Sequence, residues 1–572
     1  MDYNSATRQR FKELRPGPDG KLMTEWQLTD TRLLDTVKLT LPPPHAIPII
    51  FVPGIMGSNL ADLNNEPVWL LNSIRNVPVK LAWNWSPRNA GERQKILHPA
   101  RTKVFSEGAV PKENIALGLT MQDFLLRGWG EVSEASYHGF LVWIDTKMNA
   151  SRDPLRWSDF SQSSPKVPTD PLAYLKKTLP AGITMIMKGL PDFAEAGHKV
   201  EAIKSDDLLK RSKSIYPVYA FGYNWLDTNV AAAKLLKARI EKVIGENNKG
   251  PMRCTQVILV THSMGGLVAR ACSQLPEVDH KIVGIVHGVM PATGAAVAYR
   301  RCKVGMKDEN PGAGLVIGSD GKEVTAVFAQ SPGALQLLPS KDYGANWLRI
   351  ADPSGKIVLS LPQADPYSEI YLQRDQWWSL IREEWLSPIG GKAIEWKDFS
   401  ANIIDARNFH AGLAGKYHPN TFSFFGGGSD KKSFENIVWE MKRGIFPENK
   451  STVPTAEETK NMRYRDVRTD GSNNLYVGGN SRVSTSTRGD SSTVHFHEFS
   501  YWEIRCAQWN STGDGTVPIL SGIKPRIAGG SNIIQQFELA GVEHEPAFRD
   551  YPISKIVTYY AITKLAALAD RS

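Results

Sequence analysis

Short apolar runs that stop abruptly at glycine or proline recur along this chain, and each has the pattern of a strand buried on both faces. The first is Ile47-Pro48-Ile49-Ile50-Phe51-Val52, halted by Pro53-Gly54. Tyr216 to Phe221, Gln256 to Val260 and Lys281 to Val286 repeat it. Near-continuous apolar runs of this length belong to parallel strands covered on both sides. Helical periodicity lies between them. Asp227 or Thr228 can cap a helix whose apolar positions Val230, Leu235, Leu236, Ile240 and Val243 recur at near-helical spacing and end near Gly245. Met264 to Gln274 is again helical in pattern. Strand alternating with helix predicts an α/β fold with a mainly parallel, doubly wound sheet.

Longer segments interrupt this rhythm. Residues 1–45 are polar, end in Leu41-Pro42-Pro43-Pro44, and read as an N-terminal arm. The core is expected from residues 46–60, 213–294, 416–426 and 512–572. Residues 61–212, 295–415 and 427–511 are rich in Trp, Pro and polar side chains, with a helical pattern at Tyr367 to Trp385. Insertions of that length in a sheet fold usually gather at one rim, as lids or caps over a site. Arg463 to Ser492 is Ser/Thr/Asn/Gly-rich and reads as loop or local disorder. Pro180 to Leu190 and Trp377-Trp378 are the apolar stretches that could touch lipid, although core packing is the stronger reading.

The chemistry is concentrated where a strand meets a helix. In Val260-Thr261-His262-Ser263-Met264-Gly265-Gly266 a buried strand turns sharply at a serine and small residues follow. That is the pattern of a nucleophile elbow, the turn that lifts a serine above an α/β-hydrolase sheet. Gly265 meets the need for a small residue two positions downstream, and Thr261 stands where glycine is usual. A serine needs a base, and the base an orienting acid, in the chain order Ser, Asp, His for this fold. Gly513-Asp514-Gly515-Thr516-Val517-Pro518 presents Asp514 in a tight turn. Ile533 to Leu539 reads as a strand, and His544 follows it, where the base belongs. Two backbone N–H groups must face the tetrahedral oxyanion; Met264 and Ile55 are the expected donors, Ile55 from the Pro53-Gly54-Ile55-Met56-Gly57 loop. Met56, His262 and His287 are assigned to substrate contact, with His287 in a pocket wall or behind it.

Composition narrows the function classes. A net charge of +9 over 572 residues, with no basic helix or Lys/Arg run, is no nucleic-acid footprint, though it suits an anionic membrane surface. Four cysteines, Cys254, Cys272, Cys302 and Cys506, make no disulfide framework and have no metal-ligand spacing, with one disulfide left open. Met1 to Arg15 is polar and charged, so a secretory signal is absent and synthesis in the cytoplasm is expected. No apolar stretch is long enough to span a bilayer. The chemistry calls for no metal and no organic cofactor.

Taken together, Phe51-Val52-Pro53-Gly54-Ile55-Met56-Gly57-Ser58, Gly222-Tyr223-Asn224-Trp225, Thr261 to Gly266 and Gly513 to Pro518 resemble motifs of the lecithin:cholesterol acyltransferase-like and GPI inositol-deacylase-like lipases. His287-Gly288-Val289-Met290-Pro291-Ala292-Thr293-Gly294 resembles bacterial members described as type VI secretion phospholipase effectors. The resemblance implies an α/β-hydrolase fold, a Ser263–His544–Asp514 triad and hydrolysis of phospholipid acyl esters. It further implies a peripheral membrane substrate, a secretion spike protein as carrier, an immunity protein, and delivery by a signal-independent route to a target cell's periplasm or membrane. A soluble ester, an acyl-inositol, an acyl acceptor other than water, and a silent binder of lipid or a partner are the alternative readings.

Overall fold

A computed structural model of the chain describes residues 9–16, 22–24, 36–40, 43–70, 85, 87–114, 119–149, 203–250, 252–388, 394–443, 455–488 and 492–571. Its central sheet has six strands: β1 (Ile49–Val52), β2 (Val218–Ala220), β3 (Val257–His262), β4 (Ile282–Gly288), β5 (Thr421–Gly427) and β6 (Ile533–Ala540). They lie in the order β2-β1-β3-β4-β5-β6 and every neighbouring pair is parallel. β1 to β5 are buried at every residue, which is why their sequences are apolar without alternation.

Alternate strand residues divide between two cores. Ile50, Val52, Leu259 and Ile285 pack with α1 (Asn229–Asn247) and α2 (Gly265–Ser273) through Leu236, Ile240, Leu267 and Val268. Ile49, Phe51, Ile258, Val260 and Val286 pack with Ile556, Tyr560 and Leu565 of α3 (Pro552–Leu568). Helices on both faces complete a doubly wound arrangement. Thr228 caps α1, its hydroxyl accepting the Ala231 N–H at 3.0 Å. The helix departs from its expected seam: Val230 and Leu235 are exposed, and Ala232 and Ala233 join Leu236, Ile240 and Val243 inside.

A second six-stranded sheet lies in the later insertions, in the order Ile357–Leu361, Leu348–Ala351, Ile437–Arg443, Ser492–Cys506, Leu475–Arg488, Val467–Thr469. It overturns the loop expected over Arg463 to Ser492. Leu475–Arg488 and Ser492–Cys506 pair as a long antiparallel hairpin, and the Val and Thr scattered among the serines have the β-branched shape that strands favour. Tyr367 to Trp385 is likewise no continuous helix, but one turn at Tyr367–Tyr371 and another at Glu383–Leu386.

Trp377 and Trp378 are buried, Trp377 edge-on to Trp439 at 5.7 Å, so they are core and not a lipid-facing surface. The buried Lys303 ammonium ties this unit to the helix Ala296–Val304, donating to the Trp377 and Ser379 carbonyls at 2.8 Å and to Tyr464 Oη at 3.0 Å. Pro180 to Leu190 lies outside the described residues. In the N-terminal segment Gln9–Glu13 pairs with Thr36–Thr40, and His45–Ala46 pairs with Ser214–Ile215. The four cysteines are free and buried. Among the described residues no helix is long and apolar enough to cross a membrane.

Candidate active site

β3 leads directly into Ser263, whose backbone adopts φ 52°, the left-handed region that L side chains avoid. Such a conformation costs about 1–3 kcal/mol and persists only where its surroundings impose it. Here they do. The Ser263 N–H is held by the Gly288 carbonyl at the end of β4, 2.9 Å away. On the other side, a Cβ on Gly265 would lie 2.5 Å from the Pro53 oxygen and closer still to that of Val52, so only glycine lets α2 start there. The position two before the serine has no such requirement. Thr261 fits because its hydroxyl lies beside β4, 2.9 Å from His287 Nδ1.

Asp514 occupies a turn closed by a bridge between Gly513 and Pro518, with Gly515 at φ 90°. One carboxylate oxygen, Oδ1, accepts the N–H groups of Thr516 and Val517 at 2.9 and 2.6 Å. The other, Oδ2, is 2.7 Å from His544 Nδ1. The His544 N–H also binds the Asp514 carbonyl at 2.8 Å, which locks the two loops together. His544 Nε2 is 2.8 Å from Ser263 Oγ. A buried carboxylate can only accept, so Nδ1 carries the ring proton and Nε2 is left to accept from the serine hydroxyl. The structure thus brings Ser263, His544 and Asp514 into one hydrogen-bonded line, in which a proton can pass from serine to histidine.

The loop after β1 presses on the serine. A Cβ on Gly54 would sit 3.0 Å from Ser263 Cβ. Within that loop the Gly57 N–H is taken by the Gly54 carbonyl, and the Gly54 N–H by Tyr137 Oη at 3.3 Å. The N–H groups of Ile55, Met56 and Met264 have no hydrogen-bond partner among the described residues. Met56 has φ 63°, and its carbonyl accepts from Trp69 Nε1 at 2.9 Å. Its side chain is partly exposed, the one expected substrate contact that faces outward to any degree.

The two other expected contacts are buried. His262 is buried with both ring nitrogens engaged, Nε2 at 2.8 Å from the His544 carbonyl and Nδ1 at 2.9 Å from Tyr137 Oη. It supports the loop that carries His544 and has no nitrogen left for a substrate. His287 is wholly buried on β4, its Nδ1 turned to the Thr261 hydroxyl on neighbouring β3, so it stands behind the site and lines no open pocket. Burial keeps both rings neutral, each pushed down to about 3. Nothing in the sequence around Tyr137 marks it for a function. Among the described residues no His, Cys, Asp and Glu group could hold a metal ion.

The family described as a PGAP1-like alpha/beta domain matches residues 226–304. A chain in the crystal structure of the Tle4-Tli4 complex is 26% identical, superposes with a TM-score of 0.66, and is covered over 99% of its length by 92% of this one. This chain is an α/β-hydrolase. The match at 226–304 takes in α1, β3, Ser263 and β4 of the hydrolase, while Asp514 and His544 lie beyond it. No curated protein matches the hydrolase.

Proposed function

We propose that this hydrolase cleaves acyl ester bonds of membrane glycerophospholipids, with Ser263 as nucleophile, His544 as base and Asp514 as the residue that orients the base. The observation that carries this reading is the Ser263–His544–Asp514 line, 2.8 and 2.7 Å, beside the uncommitted amides of Ile55 and Met264. His544 takes the Ser263 proton as the oxygen attacks the acyl carbon, and Asp514 stabilises the imidazolium that forms. Ile55 and Met264 donate to the oxyanion, worth about 3–4 kcal/mol for each such donor. The lysolipid leaves with the proton from His544, and water, activated by the same histidine, releases the fatty acid.

The motif resemblance to type VI secretion phospholipase effectors and the likeness to a chain of the Tle4-Tli4 complex support a biological setting. The enzyme is an antibacterial effector, carried by a secretion spike to a neighbour's periplasm or membrane and restrained at home by an immunity protein. Purified protein and Ser263→Ala are compared on phospholipid vesicles, with products identified by mass spectrometry. Fatty acid and lysolipid released by the wild type alone support the proposal, and the lysolipid isomer assigns the acyl position. Fluorophosphonate labelling of Ser263 without fatty-acid release would keep the hydrolase and remove the phospholipid substrate.

A further inference from the structure

One hydrogen-bonded chain runs from the first insertion to both halves of the catalytic machinery, and its polarity follows from the groups in it. The His544 carbonyl can only accept, so His262 Nε2, 2.8 Å away, donates. His262 Nδ1 is then the acceptor, and the Tyr137 hydroxyl donates to it across 2.9 Å. Tyr137 Oη in turn accepts the Gly54 N–H at 3.3 Å. Tyr137 therefore sits between the loop carrying Ile55 and the loop carrying His544. It belongs to a turn, Glu134–His138, that lies more than a hundred residues before the serine in sequence.

That turn is clasped to the base loop a second time, by Ser136 Oγ donating to Glu545 Oε1 at 2.9 Å. It is also fitted to the oxyanion loop, since a Cβ on Gly57 would lie 2.6 Å from Tyr137 Oη. Around it the rings of Phe51, Tyr137, His262 and Phe548 pack at centroid separations of 4.8 to 5.8 Å, so the hydroxyl has little freedom to find another partner.

We infer that Tyr137 and His262 are positioning residues, which hold the His544 backbone and the Gly54–Gly57 loop in the one relative placement that lets proton transfer and oxyanion binding occur together. The inference rests on the serine-hydrolase reading of Ser263, His544 and Asp514. Neither residue touches substrate. Each acts by denying the base loop a second resting place, as supporting hydrogen bonds around a reacting group do. His262 is specific to this task because a neutral imidazole offers one donor and one acceptor on opposite sides of a rigid ring.

The test uses the full chain and four proteins: wild type, Tyr137→Phe, His262→Gln and His262→Asn. Fluorophosphonate titration gives the fraction of reactive serine, and kcat, KM and the labelling rate on a soluble short-chain ester are then expressed per reactive site. Tyr137→Phe should lower kcat and the labelling rate together by about tenfold or more, with KM nearly unchanged, because ground-state binding is not what it supports. His262→Gln places an amide donor where Nε2 stood and should retain more rate than His262→Asn, whose shorter amide reproduces only the Nδ1 side.

A purely structural role would lower the reactive fraction and the melting temperature but leave kcat per reactive site at the wild-type value, and that result overturns the inference. Should Tyr137→Phe fail to fold, the Gln and Asn variants decide, and equal rates in the two overturn it as well. A wild type that does not label would remove the serine-hydrolase reading itself, whereas normal wild-type labelling with unaltered variants removes only the positioning role.

Discussion

Replacing Gly265 by alanine tests whether the elbow's geometry, and not only its serine, sustains activity. The added methyl would meet the Pro53 oxygen at 2.5 Å and the Val52 carbonyl carbon at 2.9 Å, against 3.4 Å for ordinary contact. Both obstacles are backbone, at the end of β1, a strand buried at every residue and paired on both sides. Neither can swing away as a side chain would, so the strain must be met by shifting the Pro53–Gly57 loop or the start of α2. Overpacking of this kind costs about 1–3 kcal/mol. A shift approaching an ångström in that loop costs about 10²-fold in rate. Activity is therefore lost well before the fold.

The assay pairs urea denaturation with fluorophosphonate labelling of Gly265→Ala and of a control, Gly245→Ala. Gly245 lies in the exposed part of α1, and a Cβ there meets nothing within 4 Å. The same substitution should gain about 0.5–1 kcal/mol at 245 through helix propensity. It should lose stability and nearly all labelling at 265. Labelling of Gly265→Ala within twofold of wild type would refute the reasoning, because the loop would then not need its present position.

Two further outcomes follow from the buried polar groups. Burial holds His262 and His287 down to about 3 and His410 to about 4, against an ordinary 6.5, so their stabilising effect is complete above 6.5 and is lost as pH falls toward those values. Asp145, raised by burial to about 6, works in the opposite sense below that pH. Between pH 7.5 and 5.5 the histidines therefore lose stabilisation and the aspartate returns less than they lose, so stability falls by an amount on the order of a few kcal/mol. Denaturant midpoints at the two pH values measure it; a flat or rising midpoint contradicts it, and His287→Gln should remove one histidine's share. Thr261→Val keeps the shape of the side chain but strips His287 Nδ1 of its partner when Nε2 already has none. It should cost about 1–3 kcal/mol in a denaturant titration while Ser263 still labels, and an unchanged midpoint would show that the contact contributes nothing.

What could be read along the chain, and what could not, divides by the range of the interaction. The central strands were legible because burial on both faces forces an apolar run whatever the neighbours are, and β1, β3 and β4 each lie within a residue or two of the expected place. The turn at Ser263 was legible because its strain is local: Gly265 is required by atoms of the strand end that the helix start must approach. Thr261 departs from the usual glycine without consequence, since its side chain is directed at β4 and not at the elbow. The hairpin over Leu475–Arg488 and Ser492–Cys506 is not legible in sequence because Ser and Thr suit a loop as well as a two-stranded ribbon, and only the pairing partner decides.

Histidine roles were the least legible of all. His262 and His544 are both near the serine, and residue type alone cannot say that one faces Ser263 Oγ while the other carries the first one's backbone. What separates them is the hydroxyl of Tyr137, 125 residues away in sequence from His262. A buried histidine between a hydroxyl and a carbonyl is committed on both sides and cannot exchange protons with a substrate. A histidine between a carboxylate and a serine is committed on one side only, and the free side is where chemistry can begin. Function at this site is thus set by which hydrogen bonds are already spoken for, a property of the folded arrangement that no spacing of motifs encodes.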